Sequence, residues 1–78
     1  MTISKVIDSI LLELSKAQLK HPHWPEDKIH AAGIIVEEAG EAMKEALDIE
    51  YGGGDIERLK TELRHTGATV IRALMNLK

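Results

Sequence analysis

The sequence predicts an all-α protein: a single domain, residues 1–78, of three antiparallel helices that associates with further copies to complete a four-helix-bundle-type core. Three observations predict this. Apolar residues recur at three- and four-residue intervals in three separate stretches, with no strand-like alternation. Two joints, one holding paired prolines and one three consecutive glycines, divide those stretches. The apolar content is nearly all Ile, Leu, Val, Ala and Met, with one Trp, one Tyr and no Phe, a mixture suited to helix packing rather than a sheet core.

The first helix is expected over residues 3 to 20. Ile3, Val6, Ile7, Ile10, Leu11, Leu14 and Ala17 make its apolar face, and Lys5, Asp8, Glu13 and Lys16 fall on the other side. The run His21-Pro22-His23-Trp24-Pro25 stops it, because each proline disfavours helix at the residue before it. Pro25 suits a first helical position, with Glu26 and Asp27 near the positive end of the second helix dipole. That helix places Ile29, Ala32, Gly33, Val36, Gly40, Met43 and Leu47 on its apolar stripe. It should end near Tyr51, where Gly52-Gly53-Gly54 frees the backbone for a reversal. Asp55 is the expected N-cap of the third helix, whose stripe is Leu59, Leu63, Thr66, Val70, Ala73 and Leu77. With joints this short, neighbouring helices are expected to pack antiparallel.

A chain of 78 residues buries only about 60% of the surface its unfolded form exposes. It has no cysteine, so neither a disulfide nor a Cys-based zinc site can supplement a small core. Association is the remaining source of buried area, and a homodimer or homotetramer is expected. The net charge of −3 argues against a nucleic-acid partner, which needs a basic footprint. The apolar runs are too short to cross a bilayer, so no membrane partner is expected. The opening Met1-Thr2-Ile3-Ser4-Lys5 begins a helix pattern without the features of a secretion signal, and the expected compartment is the cytoplasm.

Chemistry enters with the residues the apolar stripes leave over. On the second helix Glu38, Glu41, Glu45 and Asp48 lie at offsets of 0, 3, 7 and 10, with Glu37 beside them. Like charges so spaced repel by a few tenths of a kcal/mol per pair, roughly. Lys44 is the only basic residue between Lys28 and Arg58. On the third helix Glu62 and His65 stand one turn apart, and Thr69, Arg72 and Asn76 continue their line. If the two helices pack, Glu38, Glu41, Glu62 and His65 can converge on a hard divalent cation, Mg²⁺ or Mn²⁺, which offsets their repulsion. The competing reading is a solvated acidic face, glutamate being a good helix former.

These residues also resemble a known family. Trp24-Pro25-Glu26-Asp27, then Glu37-Glu38-Ala39-Gly40-Glu41, then Glu62-Leu63-Arg64-His65 is similar to the MazG-like all-α nucleotide pyrophosphohydrolases, marked by E-E-x-x-E on one helix and E-x-x-D on a later one. The resemblance covers most of the chain from Trp24 onward and implies a single MazG-like helical domain. It implies Mg²⁺-dependent hydrolysis of a (deoxy)nucleoside triphosphate to monophosphate and pyrophosphate, as in house-cleaning of non-canonical nucleotides, in dimers or tetramers whose chains complete the pocket. By position it implies that Glu38, Glu41 and Glu62 ligate metal, and that Glu37 or Glu38 orients or deprotonates the attacking water. His65 departs from the pattern, standing where the family has aspartate. An imidazole can ligate, but it removes a negative charge and shifts preference from Mg²⁺ toward ions such as Mn²⁺.

Lys44 and Arg72 are candidates for phosphate contacts, and Trp24 for stacking on a base. Each has a second reading: salt bridges to the acidic line for the two cations, and a loop anchor for Trp24. Two other functions compete. Glu62-x-x-His65 is also the signature of di-iron carboxylate bundles, in which single glutamates from other helices complete the set. A non-catalytic oligomerising helical module with an acidic face for a basic partner is the other.

Overall fold

A computed structural model describes all residues, 1–78, and contains three helices and no strand: α1 over Ile3–Lys20, α2 over Lys28–Tyr51 and α3 over Ile56–Asn76. Each begins on a capping oxygen. Thr2 accepts from the Lys5 N–H at 3.3 Å, Asp27 from the Ile29 N–H at 2.9 Å and Asp55 from the Glu57 N–H at 2.9 Å. The cap at Asp27 corrects the expected start at Pro25. An aspartate carboxylate satisfies a free amide at the helix start, which proline cannot do, so Pro25 and Glu26 stay outside the helix.

At the other end of α2, Gly52 and Gly53 take φ of 96° and 93°, a region open to glycine. The Gly54 N–H then donates back to the Asp48 carbonyl at 3.1 Å. A Cβ at Gly54 would collide with the backbone of Asp48 and Ile49, so the return is tight enough to require glycine.

α3 is the central helix: it packs on both α1 and α2, whose backbones do not approach each other. α2 and α3 are antiparallel. α1 and α3 run in the same direction, since Glu13 meets His65 whereas Ala17 and His21 meet Arg72. α1 and α2 therefore run antiparallel as expected but do not pack on each other, because the seven-residue joint carries the chain past α3 instead of folding it back on α1.

The packed faces also differ from the expected stripes. On α2, Ile29, Val36, Met43 and Leu47 point to solvent, and the inward face carries Ile34, Ile35, Glu38, Ala42, Glu45 and Ile49. α2 has two apolar faces. The small Ala42 lets α3 approach closely on the one that also carries carboxylates. On α3, Leu63, Val70 and Leu77 are exposed, while Ala68 and Arg72 are buried, because this helix must meet neighbours on two sides. On α1, Leu14 is buried and Glu13 half-buried beside it, so Glu13 does not belong to the solvent side as expected. No helix is long and apolar enough to cross a membrane.

Candidate metal centre

The packing of α2 on α3 brings Glu38, Glu62 and His65 together, each offering one ligand atom within 4.8 Å of the others. Helical spacing explains the α3 pair, since residues three apart share a face. Glu38 joins them because the inward face of α2 repeats through positions 31, 34, 38, 42 and 45. His65 Nδ1 lies 3.5 Å from Glu62 Oε2 and 3.9 Å from Glu38 Oε2. A cation bound at about 2.0–2.2 Å with angles of 90–110° holds its donors roughly 2.8–3.6 Å apart. The 3.5 Å separation falls inside that range and the 3.9 Å separation just beyond it.

The electrostatics point the same way. Glu38 Oε2 and Glu62 Oε2 are both withdrawn from solvent with no hydrogen-bond donor. A carboxylate oxygen in that position carries an uncompensated desolvation cost, which a cation removes. Burial pushes the Glu38 carboxyl above the usual carboxylate range, and the charge of Glu41 pushes it further; His65 opposes this, and Glu62 and Glu37 add to it. By charge and unsatisfied bonding capacity the donor set is compatible with a divalent ion.

Glu41 lies outside this group. It is exposed one turn from Glu38 and acts on it through space. Glu37 is likewise exposed beside Glu38. Lys44 is exposed too and lies roughly 120° around the helix from Glu38 at 100° per residue, away from the centre. Glu45, seven residues along the inward face, has a third buried carboxylate oxygen without a donor.

Arg72 has a different task from the one expected. It is 6% exposed, and its guanidinium donates to the Ala17 carbonyl at 3.4 Å and to the His21 carbonyl. Both carbonyls lie at the C-terminus of α1, where the helix dipole also favours a cation; that of Ala17 accepts from the His21 N–H at 2.8 Å as well. The Trp24 ring covers the guanidinium, 5.2 Å from its carbon to the ring centroid. Trp24 and Pro25 line two cavities. The smaller, about 180 Å³, has Glu38, Thr69, Arg72 and Ile34 in its wall and so adjoins the candidate centre. The larger, about 430 Å³, is an apolar groove between the start of α2 and the end of α3.

Sequence reasoning missed Glu13, whose Oε2 lies 3.2 Å from His65 Nε2. Its spacing could have found it, because Glu13 stands three residues after Ile10 and four before Ala17, both on the packed side. Compared with protein families, characterised proteins and solved structures, the chain matches none significantly.

Proposed function

We propose that this chain is a metal-dependent nucleoside triphosphate pyrophosphohydrolase that works as a homo-oligomer in the cytoplasm, clearing non-canonical nucleotides. The observation that carries the reading is the convergence of Glu38, Glu62 and His65 with two buried carboxylate oxygens lacking any donor. The likeness of Glu37-Glu38-x-x-Glu41 and Glu62-x-x-His65 to the pyrophosphohydrolase motifs supports it.

Glu38, Glu62 and His65 would hold Mg²⁺ or Mn²⁺. Such an ion would supply neutralisation of phosphate oxygens and a more acidic attacking water. The water oxygen bonds to the α-phosphorus and the bond from that phosphorus to the bridging oxygen breaks, releasing pyrophosphate. Glu37, solvent-exposed beside Glu38, takes the proton of the water. Trp24 offers a flat apolar face at the mouth of the small cavity for a base. That cavity, about 180 Å³, is below the roughly 300–1,000 Å³ of small-molecule sites, so one protomer encloses part of a nucleotide and a partner chain supplies the remaining wall.

The test is pyrophosphate release from a panel of canonical and modified nucleoside triphosphates with Mg²⁺ or Mn²⁺. Turnover with at least one substrate is expected, together with its loss in Glu38→Gln and Glu62→Gln proteins that keep their helical spectrum. Full activity in both variants would remove the site.

One observation favours a second reading. Glu38 with Glu62-x-x-His65 is half of a di-iron carboxylate set, and a two-fold pair of chains would supply the rest. Iron retained through aerobic purification, with oxygen consumed on Fe²⁺ addition and no pyrophosphate released, would select it.

A further inference from the structure

We propose that a second copy of this chain seats on the outer face of α2, its own α2 lying antiparallel across the first about a two-fold axis level with residue 38. The proposal deepens the association in the reading above by assigning its surface. It stands on the shape of the protomer, and the acidic cluster takes no part in it.

The protomer exposes 5886 Å². A compact monomer of 8.6 kDa exposes about 4,700 Å². The surplus, about 1,200 Å², exceeds the roughly 800 Å² that each partner gives to an interface of standard size. A continuous apolar part of it runs along α2, where Ile29, Val36, Met43 and Leu47 are 84%, 69%, 61% and 48% exposed. At about 100° per residue these four fall within roughly 40° of one another, opposite the side packed on α3.

Two glycines share that line. Gly33 and Gly40 lie inside α2, where glycine is the poorest helix former after proline. Neither takes a positive φ, and a Cβ at either would meet nothing within 4 Å. The protomer therefore gains nothing from their small size. What a glycine permits on an open helix face is the close approach of another backbone.

The order of large and small residues identifies the occupant. Ile29, Gly33, Val36, Gly40, Met43 and Leu47 are spaced 4, 3, 4, 3 and 4 residues apart, a pattern that reads the same from both ends. Turned end for end about residue 38, the helix sets Val36 against the partner's Gly40, Met43 against the partner's Gly33 and Ile29 against the partner's Leu47. Each large side chain near the axis thus meets a glycine. The large pairs fall at the ends, where crossed helices diverge. A two-fold interface has to be self-complementary in this way, whereas a foreign partner places no such demand on the sequence.

Sedimentation equilibrium on the full chain gives the dissociation constant of the dimer for the parent, Gly33→Ala and Gly40→Ala. On a free helix face alanine strengthens the helix and leaves the mass alone. On the proposed face it forces a methyl group into the close contact, and overpacking of that kind should raise the dissociation constant about tenfold. Crosslinking reads the register, because the chain has no cysteine of its own. Ile29→Cys and Leu47→Cys proteins, mixed and treated with a short bis-maleimide, should join to each other. In the antiparallel pair the two copies of either position lie most of a helix length apart, so neither variant should join to itself. Circular dichroism checks that each variant keeps its helices, and the cysteine pair carries the test should an alanine variant lose its fold.

A parent chain that stays monomeric at millimolar concentration would overturn the proposal. So would alanine variants that associate as the parent does, a mixture that does not crosslink, or a crosslink formed within one variant alone. A dimer with the mixed crosslink that releases no pyrophosphate keeps this interface and removes the hydrolase reading. A monomer that turns over does the reverse.

Discussion

Glu38 sits where burial and neighbouring carboxylates both resist its ionisation, and that has a measurable sign. Its carboxyl titrates above the ordinary range in the folded chain, so the folded state binds a proton more tightly than the unfolded one. The stability this gives is complete below the unfolded value and is lost as pH rises through the folded one. The metal-free protein should therefore melt at a lower temperature at pH 7 than at about pH 5 if this group dominates. Glu38→Gln should remove part of that dependence and raise the metal-free melting temperature at pH 7. Mn²⁺ should raise the melting temperature of the parent and leave Glu38→Gln nearly unmoved, which scanning calorimetry can check. At this scale the sequence was partly readable. Glu62 and His65 are one turn apart on one helix, and spacing alone puts them together. Glu38 needed the correct inward face of α2; spacing puts Glu13 on the packed face of α1, but its meeting with His65 needed the register of α1 on α3, which no local pattern encodes.

Between residues and molecule stand the helices, whose limits were legible because caps and glycines are local signals. The α1 range and the stop after Tyr51 match expectation, and Asp55 caps α3. The faces were harder. An apolar stripe identifies a buried surface without saying what covers it, and on α2 the more apolar stripe is the one left open. Arg72 illustrates the same difficulty, since its partners are carbonyls more than fifty positions away in the chain. Replacing it strips two donors from the end of α1 and leaves Trp24 uncovered. Arg72→Ala should cost about 2 kcal/mol, in the range for hydrogen bonds made by charged groups. Urea unfolding measures this. Arg72→Lys should recover only part, because an ammonium cannot span both carbonyls as the planar fork does.

The whole molecule is extended for its length. Its radius of gyration is 13.4 Å, against about 11–12 Å for a compact domain of 78 residues. Only Leu14, Ala42 and Ala68 are buried among apolar residues, while Ile29, Val36, Met43 and Leu47 share an open face on α2. A surface so apolar argues for the association proposed above. Val36→Glu and Met43→Glu place a charge on that face without touching the centre. In sedimentation experiments each should shift the protein toward monomer, with turnover falling in step. Unchanged mass would mean that copies meet elsewhere.

Trp24 is the one tryptophan, and it stands over the Arg72 guanidinium and lines two cavities. The chain thereby carries its own optical gauge. Its ultraviolet emission comes almost wholly from a single indole, so quenching or a change of colour on adding a nucleotide reports occupancy of that corner directly, with no dye attached.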